Sequence, residues 1–113
     1  MWRDDAWLLD MLIAARKAII YTRGLNAEAF SDNELAQSAV MRVLEIVGEA
    51  ARRVSQETKD AHPEVPWAEI VGLRNRLVHE YFRIDVDKVW DTVQNDVPAL
   101  ICALEPLVPP DSA

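Results

Sequence analysis

Positive charge, cysteine, histidine and glycine are all scarce in this sequence. Twelve lysines and arginines stand against 19 aspartates and glutamates, a formal net charge of −7. Such an acidic chain lacks the broad basic face that non-specific nucleic-acid binding needs, so DNA is not an expected partner and any RNA contact must be local. Cys102 is the single cysteine. It has no internal disulfide partner, which fits a reducing, cytoplasmic setting. It lies among Leu100, Ile101 and Leu104, so a buried structural thiol is expected. With only His62 and His79 beside that cysteine, no convincing metal-ligand cluster exists, and no metal or other cofactor is expected. Residues Met1 to Asp5 lack a signal-peptide pattern. The apolar stretch from Trp7 to Ile20 is broken by Asp10, Arg16 and Lys17, so it is no membrane span.

Half of the 113 residues are hydrophobic, enough for the core of one domain over residues 1–113. A domain this small is only modestly buried, and a partner surface would add to its stability. Only three glycines occur, and Ala, Leu, Glu and Arg dominate, a composition that favours helices over strands.

Four helical segments can be read. In the first, from about Asp4 to Tyr21, Leu8, Leu12, Ala15 and Ile19 recur at helical spacing, and Gly24 is a stop signal. The second starts at Ser31, where Ser31-x-x-Glu34 reads as a capping box and Phe30 and Leu35 as a hydrophobic staple. Its apolar series runs from Leu35 through Val43 and Val47 to Val54. Residues Gln56 to Val65 read as a polar loop in which His62 is solvated. Pro66 suits the first turn of a third helix that extends to about Phe82. Asp85 or Asp87 caps the fourth, whose stripe includes Val86, Trp90, Val93, Val97 and Leu104. Pro98 should kink or split it, and Pro106, Pro109 and Pro110 end it. Short connections between such helices imply an all-α, antiparallel up-and-down bundle of four to five helices.

The third helix carries an anomaly. At about 100° per residue, Trp67, Ile70, Val71, Leu77, Val78 and Tyr81 all fall within about 60° of Arg74. Arg74 thus sits in the middle of an apolar arc, where a guanidinium is costly unless it is paired or faces a cleft. Two readings stay open: a structural arginine paired with an acid on a neighbouring helix, or a fork held ready for an anion. His79 lies about 140° round from Arg74, so one straight helix does not aim both at one small group. Either the helix bends before His79, or two copies of the chain contribute to one site, as a two-fold homodimer permits. Asn75 shares a face with His79 and is placed to orient its imidazole.

The run Arg74-Asn75-Arg76-Leu77-Val78-His79-Glu80-Tyr81 reads R-N-x3-H-x-Y. It resembles the R-x4-H-x-Y signature of HepT-like toxins in the HEPN superfamily. The resemblance extends to Ser31–Leu35, Leu44–Ala51, Pro66–Leu73, Val89-Trp90 and Val97–Leu100, most of the chain from about residue 5 to 105. It implies a helical, metal-independent endoribonuclease toxin whose active site forms at a homodimer interface. By position, it makes Arg74 and His79 the catalytic pair, with Asn75 as the polar residue beside the arginine. It makes Tyr81 the tyrosine to which a cognate minimal nucleotidyltransferase antitoxin transfers AMP. The alternative function is a non-catalytic module that binds nucleotide or the partner nucleotidyltransferase.

Those residues suit the chemistry. RNA carries its own nucleophile, the 2′-hydroxyl. A histidine titrating near neutrality can move the protons, and an arginine can hold the phosphate as charge builds on it. Between residues 74 and 83, Arg74, Arg76 and Arg83 stand against Glu80. Two copies face to face would concentrate that charge in one groove.

Overall fold

The computed structural model describes residues 2–109, and every regular element among them is helical. Helix α1 spans Trp2–Thr22 and buries Leu8, Met11, Leu12, Ala15 and Ala18 along one side. The Thr22 hydroxyl donates back to the Ala18 carbonyl at 3.0 Å. Gly24 then takes a left-handed φ of 81°, which ends the helix as its position suggested.

The next start lies elsewhere than expected. Ser31 closes a short helix, α2 (Ala27–Ser31), and Asn33 caps α3 (Glu34–Arg53) by accepting from the Ala36 N–H at 2.9 Å. Asparagine caps as well as serine, so Ser31 and Asn33 are both consistent starts on local grounds. The staple is absent too: Phe30 is buried, while Leu35 is 81% exposed. Phe30 instead meets the Trp90 ring, with centroids 5.3 Å apart.

The segment expected as a loop contains α4 (Gln56–Ala61), capped by the Ser55 hydroxyl. Behind that cap lies the buried Asp4 carboxylate. It accepts from the Ser55 N–H at 3.0 Å, from the Ser55 hydroxyl, and from the Thr58 hydroxyl at 2.6 Å. The start of α1 is thereby pinned to the α3–α4 corner. Trp67 Nε1 donates to the His62 carbonyl at 3.0 Å and fixes the approach to α5 (Trp67–His79).

Helix α5 ends at His79 rather than running to Phe82, and Tyr81–Arg83 forms a single tight turn. Asp85 caps α6 (Val86–Asp91) through the N–H groups of Asp87 and Lys88. A widened, π-helical turn over Thr92–Asp96 leads into α7 (Val97–Leu104). Pro98 lies in the first turn of α7. A proline cannot donate to the carbonyl four residues back and crowds it. The wide turn sits at that point, and the helical course is widened rather than split. Cys102 is exposed, against expectation. Val97, Leu100 and Leu104 take the inner face of α7, and Cys102 is about 200° round from Leu100.

The four long courses make an up-and-down bundle. Helices α1 and α3 pack as its centre, α7 covers α1, and α5 covers the other flank of α3. Helix α5 is parted from α7 by an open cleft of about 370 Å³, floored by Leu44, Val47, Ile70, Leu73 and Leu100.

Candidate active site

Arg74 sits midway along α5, where that helix passes tightly against α3 at Gly48. A Cβ built on Gly48 would fall 2.1 Å from the Arg74 Cβ and 3.1 Å from the Ile70 carbonyl oxygen. Any larger residue at position 48 would push the two helices apart. The Arg74 side chain therefore crosses α3 over a glycine and turns its guanidinium to Glu49, Nη2 to Oε2 at 3.2 Å. Its Nη1 donates to Asn75 Oδ1 at 3.0 Å. The Arg74 side chain remains a quarter exposed.

The acid on a neighbouring helix thus exists, but Arg74 does not have it alone. Arg52 Nη2 reaches Glu49 Oε1 at 2.8 Å and Arg53 Nε reaches the same oxygen at 3.0 Å. Glu49 is lowered to about 2, first by the Arg52 hydrogen bond, against an opposing desolvation, and further by Arg53 and Arg74. The Arg52 guanidinium is pushed up in turn by its hydrogen bond to Glu49. One carboxylate shared by three guanidiniums leaves an excess of two positive charges here, on a chain whose formal total is −7.

Helix α5 is unbroken from Trp67 to His79, so no bend brings the imidazole round to Arg74 within one chain. His79 is exposed, and no hydrogen bond to its ring is formed among the described residues. Asn75 serves the arginine rather than the imidazole. Tyr81 lies off the helix. The Glu80 N–H closes α5 on the Arg76 carbonyl at 2.8 Å, and the Tyr81 ring, 43% exposed, meets Phe82 edge-on at 5.2 Å. The apolar arc read around Arg74 therefore divides. Trp67 and Leu77 enter the core, while Val78 and Tyr81 stay exposed beside Phe82, which is 97% exposed. His62 faces Glu64, Nδ1 to Oε2 at 3.2 Å, away from this site.

Gly48, Glu49, Arg52 and Arg53 do not stand out in the sequence as site residues. The available signal is Glu49 placed three and four residues before two arginines, a helical ion-pair spacing. Only the packing brings Arg74 to the same carboxylate.

The family described as "Ribonuclease HepT-like" matches residues 11–107, nearly all of the described bundle. The chain belongs to this family. "Putative RNase MJ1380" of Methanocaldococcus jannaschii is 42% identical over 95 residues, 84% of this chain and 87% of that protein. "Probable ribonuclease HepT" of Thermococcus cleftensis is 42% identical over 80 residues, 71% of this chain and 73% of the relative. "Putative RNase MJ0125" of M. jannaschii is 31% identical over 103 residues, 91% of this chain and 89% of its own length. No solved structure matches significantly. The HepT-like match contains Gly48, Glu49, Arg74, Asn75, His79 and Tyr81. Among the described residues no helix is long and apolar enough to cross a membrane.

Proposed function

We propose that this HepT-like chain is the toxin of a toxin–antitoxin pair, a metal-independent endoribonuclease acting as a homodimer. One observation carries the proposal: an unbroken helix bears a guanidinium short of counter-charge and, about 140° round, an unengaged imidazole. Within one chain these two groups face apart. A second copy related by a two-fold axis lets each site draw on both helices. The exposed Val78, Tyr81 and Phe82 around His79 supply apolar surface suited to that contact.

In the proposed reaction the substrate 2′-oxygen bonds to the adjacent phosphorus while the bond from phosphorus to the 5′-oxygen breaks. One His79 accepts the 2′-hydroxyl proton, and its symmetry mate donates a proton to the leaving 5′-oxygen. Arg74, steadied by Asn75, holds the phosphate oxygens as charge accumulates on them. The products are a 2′,3′-cyclic phosphate and a 5′-hydroxyl. Tyr81 is the proposed acceptor of AMP from a minimal nucleotidyltransferase antitoxin. Its exposed ring is open to such a partner. The added bulk and negative charge would close the groove to RNA.

The test is cleavage of RNA by purified, antitoxin-free protein in EDTA, with the 3′ ends identified by mass spectrometry. Wild type should cleave and leave cyclic phosphate, and His79→Ala should be inactive yet still dimeric by sedimentation. Equal behaviour of the two proteins would leave only the binding-module alternative. Co-expression with the nucleotidyltransferase should add the mass of AMP at Tyr81, and an unmodified tyrosine there would refute that part.

A further inference from the structure

We infer that Arg52 and Arg53 extend the Arg74 site along the end of α3 as a track for further phosphates of the same RNA strand. Glu49 is the counter-ion that parks all three guanidiniums while the track is empty. This rests on the reading of Arg74 as the group that grips the reacting phosphate.

The argument begins with donors and acceptors. A carboxylate offers roughly four acceptor positions, and each guanidinium offers five N–H donors. Glu49 already receives Arg52 through Nε at 3.4 Å and Nη2 at 2.8 Å, Arg53 through Nε at 3.0 Å, and Arg74 through Nη2 at 3.2 Å. Its capacity is filled, while most N–H groups of the three arginines are not engaged by it. Arg52 and Arg53 keep about half of their side-chain surface in water. Their free donors are therefore accessible to a second anion.

The cluster is also pre-positioned. The Arg53 guanidinium lies over the Trp7 ring, 5.3 Å from its centroid. Arg52 and Arg53 occupy the last turn of α3, and Lys59 Nζ lies 3.5 Å from the Arg52 carbonyl oxygen. Holding the guanidiniums in place beforehand reduces the ordering cost of binding. Phosphates fit better than carboxylates as the missing partner. The excess is two charges spread over three arginines, and a nucleic-acid strand supplies a row of single charges on bidentate acceptors. The track also explains how a chain of net charge −7 holds RNA at all: through one short positive edge rather than a basic face.

The experiment uses a fluorescent single-stranded RNA carrying 2′-O-methyl groups throughout, which can bind but cannot be cleaved. Its affinity is measured against salt concentration. Each phosphate contact on a single strand contributes a slope of about 0.7 in log affinity against log salt. The double variant Arg52→Gln, Arg53→Gln should lower the wild-type slope by about 1.4, with the far-UV spectrum and Tm unchanged in kind. Arg42→Gln, which removes an exposed arginine further up α3, should leave the slope alone. Glu49→Gln should tighten binding several-fold, whereas a merely structural glutamate would not. An unchanged slope in the double variant, or an equal drop in Arg42→Gln, overturns the track. Because the probe is inert, this binding result is independent of the nuclease reading. A protein that binds through the track yet cleaves no RNA would refute only the latter.

Discussion

Two carboxylates in this bundle, Asp4 and Glu49, are both held below their ordinary range, and they are held in opposite ways. Burial by itself would push Asp4 up. The hydrogen bonds from the Ser55 and Thr58 hydroxyls and the Ser55 N–H, with a smaller pull from the N-terminal charge, together outweigh it. All these donors are neutral and all are turned inward. Glu49 is a third exposed and is held by three cations, of which Arg52 and Arg53 are more exposed than it is. Neutral donors around a buried acid make a closed, saturated joint. Charged donors in excess around an open acid leave unmet demand for an anion. The first arrangement builds the corner between α1 and α4, and the second is where we propose that a phosphate enters.

The largest effects should come from the open side. Arg74→Lys keeps the charge but loses the fork proposed to grip a phosphate. Single-turnover RNA cleavage is expected to fall by about 10²–10³-fold, the usual loss for one donor to a developing oxyanion. Thermal stability should change little, because Arg52 and Arg53 still occupy Glu49. Full activity in Arg74→Lys would mean that a point charge suffices there. Next comes Gly48→Ala. The added methyl meets the Arg74 Cβ and the Ile70 carbonyl, neither of which is the free end of a side chain. Overpacking of this kind costs about 1–3 kcal/mol. Urea unfolding should show that loss, and cleavage should fall with it as Arg74 is displaced. A stable, active Gly48→Ala protein would show that α3 and α5 can separate freely.

On the closed side, Asp4→Ala leaves two hydroxyls and one N–H at the α4 cap without their acceptor. The expected cost is about 1–3 kcal/mol, read as a lower Tm with cleavage by the folded protein unaffected. Loss of activity without loss of stability would link the Asp4 corner to the site, and the two carboxylates would no longer be separable.

The same division governs what the sequence reveals. The long helices, the Gly24 stop and an aspartate cap at Asp85 or Asp87 are legible because each rests on a local pattern of spacing or side-chain type. Arg74 is legible as an anomaly because its neighbours on the α5 face are apolar. Its partner is not. Glu49 is 25 residues away in the chain, and nothing local says that Gly48 lets α5 descend onto α3 at that point. Ser31 and Asn33 are both good caps two residues apart, so local pattern does not choose between them; in the fold Ser31 closes α2 and Asn33 caps α3. The apolar neighbours of Cys102 in sequence point to burial, but its phase around α7 decides its exposure. Tyr81 lines up with Arg74 only if α5 is extended past His79, where it stops. Chemistry carried by one residue is readable, and chemistry assembled across helices is not.

The smallest effect separates the two carboxylates most directly. Both have folded-state pKa values below their unfolded ones, so each adds stability above its unfolded pKa and loses it as pH falls through its folded value. For Glu49 that window runs from 4.5 down to about 2. For Asp4 it lies below 3.8. The Glu49 contribution comes from partly exposed ion pairs, which salt screens as the Debye length shrinks from about 10 Å at 0.1 M to about 3 Å at 1 M. The Asp4 contribution comes chiefly from part-buried neutral donors, with a smaller pull from the N-terminal charge, and should resist salt better than that of Glu49. Acid unfolding of Glu49→Gln should therefore differ slightly from wild type at low salt and converge with it at high salt. The difference between Asp4→Asn and wild type should persist at both. If the Glu49 difference also survives high salt, its guanidiniums are held as tightly as the hydroxyls around Asp4, and they have no capacity left for a phosphate.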